Sequence, residues 1–253
     1  MNILVCIKRI PATGGKVSLT ADEQEIDTRH LGFTVSPHEE CAVEEAVRLI
    51  EANGGSSAVL TLGAEVSTEQ LRDAMAMGID RAILLETDGR EWDAGSTAAA
   101  IVEAVRADGM NFDLLLFGNE AADTGDYQVG IRVAHALGLP CVTGIKSLEI
   151  KGGGAVAKRE ASGGWDIFEI PLPAVVTVKE GINLPRYPSF QGRLKAKKKD
   201  IARAKPQWNG NQMEKARLKI PKEQEHQVEI LGNGPGAAPK AVEVFQKLGL
   251  FQK

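Results

Sequence analysis

The sequence predicts an α/β protein, a parallel sheet with helices on both faces, extended by antiparallel strands and a C-terminal arm. Three observations carry that expectation. Short apolar runs alternate with segments of helical period through the first half, and Ser-led helix-start signals punctuate them. After Leu139-Pro140 the pattern changes to strands joined by glycine turns. Parallel neighbours need crossover connections, and a β-α-β-α-β-α-β order supplies them.

Ile3 to Ile7 is a short apolar run of the buried-strand type. Pro11 to Val35 is polar without a period, a long excursion with room for a short hairpin. A helix opens at Ser36, with Pro37 at its first position and Glu39 completing a capping box. Ala42, Val43, Ala46, Val47 and Ile50 follow at helical spacing until Asn53-Gly54-Gly55. Ala58 to Leu62 is the second strand. Ser67-Thr68-Glu69-Gln70 predicts another capping box, opening a helix with Leu71, Ala74 and Met75 that stops at Gly78. Ala82 to Leu85 is the third strand, Ser96 to Ala107 an alanine-rich helix, and Asp113 to Phe117 the fourth strand.

Lys146 to Ile150, Ala155 to Glu160, Trp165 to Ile170 and Ala174 to Val178 read as strands. Gly152-Gly153-Gly154 and Ser162-Gly163-Gly164 predict antiparallel hairpins between them. Lys179 to Lys199 fits no regular element, because Gly181, Pro185, Pro188 and Gly192 interrupt it. It carries Tyr187 and Phe190 and ends in Lys195, Lys197, Lys198 and Lys199. Such a loop either docks a partner through a hydrophobic anchor and a cationic patch, or is a linker whose aromatics pack back on their own domain. Ile201 to Glu225 is polar. Pro239 to Leu250 has Ala241, Val242, Val244, Phe245 and Leu248 at helical spacing after the hinge Gly232 to Gly236. A short amphipathic helix cannot bury its apolar face alone, and docking on another chain is expected. The expected division is a domain over residues 1–200 and an arm over 201–253.

A net charge of −4 over 253 residues argues against general nucleic-acid binding, which needs a positive surface. Cys6, Cys41 and Cys141 are scattered and form no CxxC, as expected of thiols in a reducing compartment. The start reads as a strand rather than a signal peptide, and no run reaches the roughly 20 apolar residues of a membrane span. A cytoplasmic protein, not embedded in a membrane, is the expectation.

Parallel sheets bind ligands beyond the carboxyl ends of their strands, where strand order reverses. The loops to inspect are Cys6 to Arg9, Leu62 to Ala64, and Gly118 to Gly130. In the last, two glycines permit close backbone approach. Thr124 and the first helical N–H groups suit a phosphate, and Asp123 and Asp126 suit ribose or adenine donors. An ordinary strand–helix turn with the acids as caps reads equally well. His30, His38, His135 and His226 have no metal-ligand spacing, and no GxSxG, HExxH or cysteine–histidine pair points to bond-making chemistry. Glu160, at a strand end, reads as a surface carboxylate.

The combination of VCIKRI at the start, AVEEAVRL at residues 42–49, AMAMGIDRAILL at 74–85 and PAVVTV followed by NLPRYPSFQGRLKAKKK resembles the β (small) subunit of electron transfer flavoprotein. The resemblance runs from Met1 to about Lys199. It implies an adenine-nucleotide-binding, Rossmann-like sheet and a heterodimer with an α subunit that holds most of the FAD. The complex would take electrons from flavoprotein dehydrogenases and pass them to a quinone oxidoreductase or another acceptor, with no catalytic residue in this chain. It also implies a structural AMP in the sheet-end crevice, held by Cys6, Ser36, Pro37, His38, Glu39 and Leu62. The loop Gly118, Asn119, Glu120, Ala121, Ala122, Asp123, Thr124, Gly125, Asp126, Tyr127, Gln128 and Val129 would complete that site. Tyr127 replaces a smaller polar residue of the family pattern, and His38 stands where an aromatic that reaches the flavin often occurs. Partner docking falls to Tyr187, Phe190, Lys195, Lys197 and Lys198, with Phe190 in place of the usual leucine. Glu160 matches a carboxylate that faces the flavin-bearing domain. Two alternatives stay open: an electron-bifurcating subunit that binds a second FAD and works with NADH, and a stand-alone nucleotide-binding regulatory module.

Overall fold

A computed structural model describes residues 1–12, 14, 17–109, 111–221 and 229–250. They form two compact units, Met1–Arg217 and Leu218–Lys253. From the N-terminus, β1 (Asn2–Cys6) leads through a short antiparallel pair, β2 (Ile10–Pro11) and β3 (Phe33–Thr34), into α1 (Pro37–Asn53). Then come β4 (Ser56–Gly63), α2 (Thr68–Met77), β5 (Arg81–Glu86), α3 (Ala94–Ala107), β6 (Leu114–Gly118) and α4 (Val129–Leu137). β7 (Cys141–Lys151), β8 (Gly154–Ala161), β9 (Gly164–Pro171) and β10 (Ala174–Val178) follow. The unit continues with α5 (Phe190–Lys198) and β11 (Ile201–Ala204). The second unit contains α6 (Ala238–Lys247); Val242 on it and Leu248 just past its end are exposed. Among the described residues no helix is long and apolar enough to cross a membrane.

One nine-stranded sheet runs in the order β11-β5-β4-β1-β6-β10-β7-β8-β9. Alternate residues of its central strands enter two apolar layers. Ile3, Val5, Val59, Leu84, Leu116 and Val176 pack with α1 and α2 on one side. Leu4, Leu60, Leu85, Leu115, Phe117 and Val175 pack with α3 and α4 on the other. The expected parallel sheet with helices on both faces is what these residues build.

Four local expectations change. Ala174 to Val178 is not part of an antiparallel meander: β10 pairs parallel with both β6 and β7, and all five of its residues are buried. A short strand buried on both faces reads as a continuous apolar run whatever its direction. Only β7–β8 and β8–β9 form the antiparallel hairpins. Ser67 makes no side-chain cap; it ends a 3-10 turn (Glu65–Ser67) in helical geometry, and that turn leads directly into α2. At Ser36, by contrast, both halves of the capping box are present.

The stretch Lys179 to Lys199 is irregular only in its first half, because Ser189 caps α5 by accepting from the Gly192 N–H at 3.0 Å. Gly192 interrupts nothing. A Cβ there would lie 2.4 Å from the Ala76 carbonyl oxygen, so glycine is what lets α5 lie against the end of α2. Finally, Ile201 to Ala204 adds a parallel edge strand beside β5.

Candidate functional site

The chain steps outward from β1 to β4 and β5, then crosses back to place β6 on the other side of β1. The loops leaving β1 and β6 therefore diverge and open a crevice, with the N-terminus of α1 at its base. Glu39 ties the three together. Its Oε1 accepts from the Lys8 N–H and its Oε2 from the Ser36 N–H, both at 3.0 Å. The side chain is buried, and burial pushes its carboxyl up to about 8 against the opposing pull of those hydrogen bonds. Gly118 lies against it: a Cβ there would stand 2.6 Å from Glu39 Cγ. Cys6, at the end of β1, is buried, and that burial raises its thiol pKa, so it is a packing residue and not a nucleophile.

Glu120 joins the loop after β6 to α1. Its carbonyl accepts from Ser36 Oγ at 3.2 Å, and its Oε1 meets His38 Nε2 at 3.2 Å. His38 Nδ1 accepts from the Glu180 N–H at 2.7 Å. The neutral ring therefore carries its hydrogen on Nε2 and donates to Glu120. Tyr127 also hydrogen-bonds Glu120, which raises its phenol pKa, and it holds a left-handed φ of 53°. Asn119 is anchored from beneath: its N–H donates to the Val178 carbonyl at 2.8 Å and its Oδ1 accepts from Thr177 Oγ1 at 2.9 Å.

Lys8 Nζ reaches Asp123 Oδ2 at 2.7 Å across the crevice, while Asp123 Oδ1 is buried with no hydrogen-bond partner. An orphaned carboxylate oxygen is an acceptor waiting for a donor, of the kind a ribose hydroxyl or adenine amine provides. At the start of α4 no side chain caps the helix, so its first N–H groups remain for an anion. Together these polar groups fit a nucleotide monophosphate.

The remaining predicted residues are placed less centrally. Pro37 is the first residue of α1 and Val129 of α4. Ala121, Ala122, Thr124 and Gly125 form a turn closed by the Gly125 N–H on the Ala121 carbonyl at 2.8 Å. Asp126 Oδ1 lies 3.5 Å from the Gln128 N–H, and the Gln128 amide oxygen accepts from Arg132 Nε and Nη2 at 3.1 and 2.8 Å. Leu62, on β4, packs into the layer under α3 and makes no polar link to the crevice loop. His30 and His135 are exposed, His226 lies outside the described residues, and no metal-binding cluster occurs among the described residues.

A second feature stands on the α1–α2 side. Leu184, Tyr187 and Phe190 are 90%, 96% and 77% exposed. Lys195, Lys197 and Lys198 are exposed in the last turn of α5, where the helix dipole favours cations. Lys199 is engaged instead, donating to the Ile79 carbonyl at 3.0 Å. Arg72 Nη1 donates to the Ala196 carbonyl at 2.7 Å and to the Lys199 carbonyl at 3.3 Å. Glu160, at the end of β8, is about half exposed with Lys179 Nζ at 3.9 Å.

Sequence reasoning passed over several residues that matter here. Lys8, inside the loop Cys6 to Arg9 but not singled out there, and Thr177 hold the crevice, and a lone hydroxyl in the apolar run PAVVTV was the available signal for the second. Glu44 and Glu45 look like the solvent face of α1 but are buried, paired with Arg186 and Asn183.

The model of the electron transfer flavoprotein domain family matches residues 25–207. Electron transfer flavoprotein subunit beta of Bacillus subtilis is 38% identical over 203 residues, covering 79% of this chain and 77% of that protein. Its counterpart in Syntrophomonas wolfei is 39% identical over 205 residues, covering 81% and 79%. The subunit beta of Mycobacterium tuberculosis strain H37Rv is 38% identical over 207 residues, covering 79% and 77%.

Proposed function

The chain belongs to the electron transfer flavoprotein family as a beta subunit, and on that premise we propose that it is the nucleotide-holding, partner-docking half of a heterodimeric electron carrier in the cytoplasm. The α subunit holds most of the FAD, which supplies the group that accepts and releases electrons. This chain does no bond-making chemistry. It receives a flavoprotein dehydrogenase, and the complex hands its electrons to a quinone oxidoreductase or another acceptor.

One observation carries the nucleotide half of this reading. The loops after β1 and β6 and the start of α1 converge on Glu39 at the switch point, with Asp123 Oδ1 left unpartnered and buried. AMP is the occupant we assign. Asp123 accepts from its ribose or adenine, Lys8 and the uncapped first turn of α4 neutralise its phosphate, and Gly118 allows the backbone close approach. The nucleotide is structural: it braces the crevice and takes no part in redox chemistry. Glu160, exposed at the end of β8, pairs with an arginine of the α subunit and helps set the flavin-bearing domain. The expected arm over 201–253 first adds β11 to the sheet, and its part beyond, with the apolar positions of α6, docks on the α subunit.

The exposed apolar residues Leu184, Tyr187 and Phe190 beside the lysines of α5 carry the docking half. Lys197→Glu with Lys198→Glu is expected to slow association with the dehydrogenase and to blunt its salt dependence, because exposed charges act on encounter more than on the formed complex. Stopped-flow reduction at low and high salt measures this. Rate constants equal to those of the wild-type heterodimer at both salts contradict the docking reading.

A further inference from the structure

Residues 179–188 have no helix and no strand, and the backbone ladder of β10 ends at the Lys179 N–H on the Ile145 carbonyl at 3.0 Å. Of their apolar side chains Ile182 packs against the core, whereas Leu184 and Tyr187, beyond it, are almost wholly exposed. An irregular stretch with such residues would ordinarily be loose, and a loose stretch is ordered only at a cost when a partner binds. Here it is riveted to α1 from below. The Arg186 N–H and Nε both donate to Glu44 Oε2, at 3.1 and 2.9 Å, and Nη2 donates to Oε1 at 3.1 Å. Nη1 and Nη2 also reach Glu51 at 2.6 and 2.9 Å. Asn183 adds a second rivet through its Nδ2, on the Cys41 carbonyl at 3.0 Å and Glu45 Oε2 at 2.9 Å. Glu44 is only 4% exposed, a buried carboxylate wholly matched to one guanidinium.

We propose that Arg186 is the positioning residue of the docking stretch, clamped between Glu44 and Glu51 so that Leu184, Tyr187 and Phe190 are presented in a fixed arrangement before the partner arrives. This rests on the reading of that stretch as a docking element. Both the side chain and the backbone N–H of Arg186 are held, so the clamp fixes the chain itself between the two aromatic residues and Leu184. The planar fork is essential, because one ammonium cannot satisfy two carboxylates in these directions while leaving the backbone where it is. Presentation of this kind lowers the ordering cost of association and leaves the electron-transfer step untouched.

The test uses the FAD-loaded heterodimer and the flavoprotein dehydrogenase that reduces the wild-type protein, with the heterodimer as the varied substrate. Arg186→Lys is expected to raise KM for the heterodimer roughly tenfold, with kcat and FAD content unchanged. Lysine thus fails to rescue although it keeps the charge. In a Phe190→Ala background the same substitution should raise KM by much less, because its effect runs through the anchor. Glu51→Gln removes only the exposed half of the clamp and should raise KM about threefold; it carries the test if Arg186→Lys assembles poorly. An unchanged KM in Arg186→Lys, or in Glu51→Gln where that variant must serve, overturns the proposal while a raised KM in Phe190→Ala keeps the docking reading. An unchanged KM in Phe190→Ala overturns both.

Discussion

Phe190→Ala is expected to weaken acceptance of electrons from the dehydrogenase while leaving heterodimer assembly, FAD content and thermal stability as they are. Phe190 is the first residue of α5, just beyond the Ser189 cap, and 77% of its surface is exposed. Truncating it removes little packing from the fold. In a complex it is another matter, because an aromatic anchor seated in a partner's pocket carries about 2–4 kcal/mol. That corresponds to a KM higher by roughly 30-fold or more. Steady-state kinetics with the heterodimer as varied substrate check it, and KM within twofold of wild type defeats it.

Gly118→Ala should do the opposite, damaging the fold and the crevice and sparing the docking surface. The new Cβ would stand 2.6 Å from Glu39 Cγ and 3.2 Å from the Glu39 backbone nitrogen. Glu39 cannot swing aside cheaply, since its two oxygens satisfy the N–H groups of Lys8 and Ser36. Moving it leaves the Lys8 and Ser36 N–H groups unpaired and breaks one half of the α1 capping box, which adds to the overpacking. The combined cost is on the order of 2–4 kcal/mol. The expected result is a clear drop in the melting temperature together with loss of bound nucleotide during purification. A variant that melts with wild type and retains its nucleotide shows that the crevice is looser than these contacts require.

Much of this architecture was legible before any coordinates. Apolar runs such as Ile3 to Ile7 and Ala58 to Leu62, each followed by an amphipathic helix, specify parallel crossovers by their order alone. The Ser36-Pro37-His38-Glu39 cap is legible because all its bonds are local. What escaped was set by contacts distant in sequence. Gly192 reads as a breaker until the Ala76 carbonyl is placed beside it. Glu44 reads as solvent-facing until Arg186, more than a hundred residues later, is folded over it. The direction of β10 depends on which strands flank it, and its five buried residues are silent on that. The crevice loops were legible from the switch-point rule, whereas the Lys8–Asp123 bridge and the Tyr127–Glu120–His38 chain needed side-chain geometry.

The occupant of the crevice beside β1 and β6 decides whether this chain holds a structural nucleotide. The purified heterodimer, denatured and its released small molecules separated and quantified, answers this directly. One AMP and one FAD per heterodimer is the predicted result. Two FAD and no AMP would contradict it and make the crevice a second flavin site.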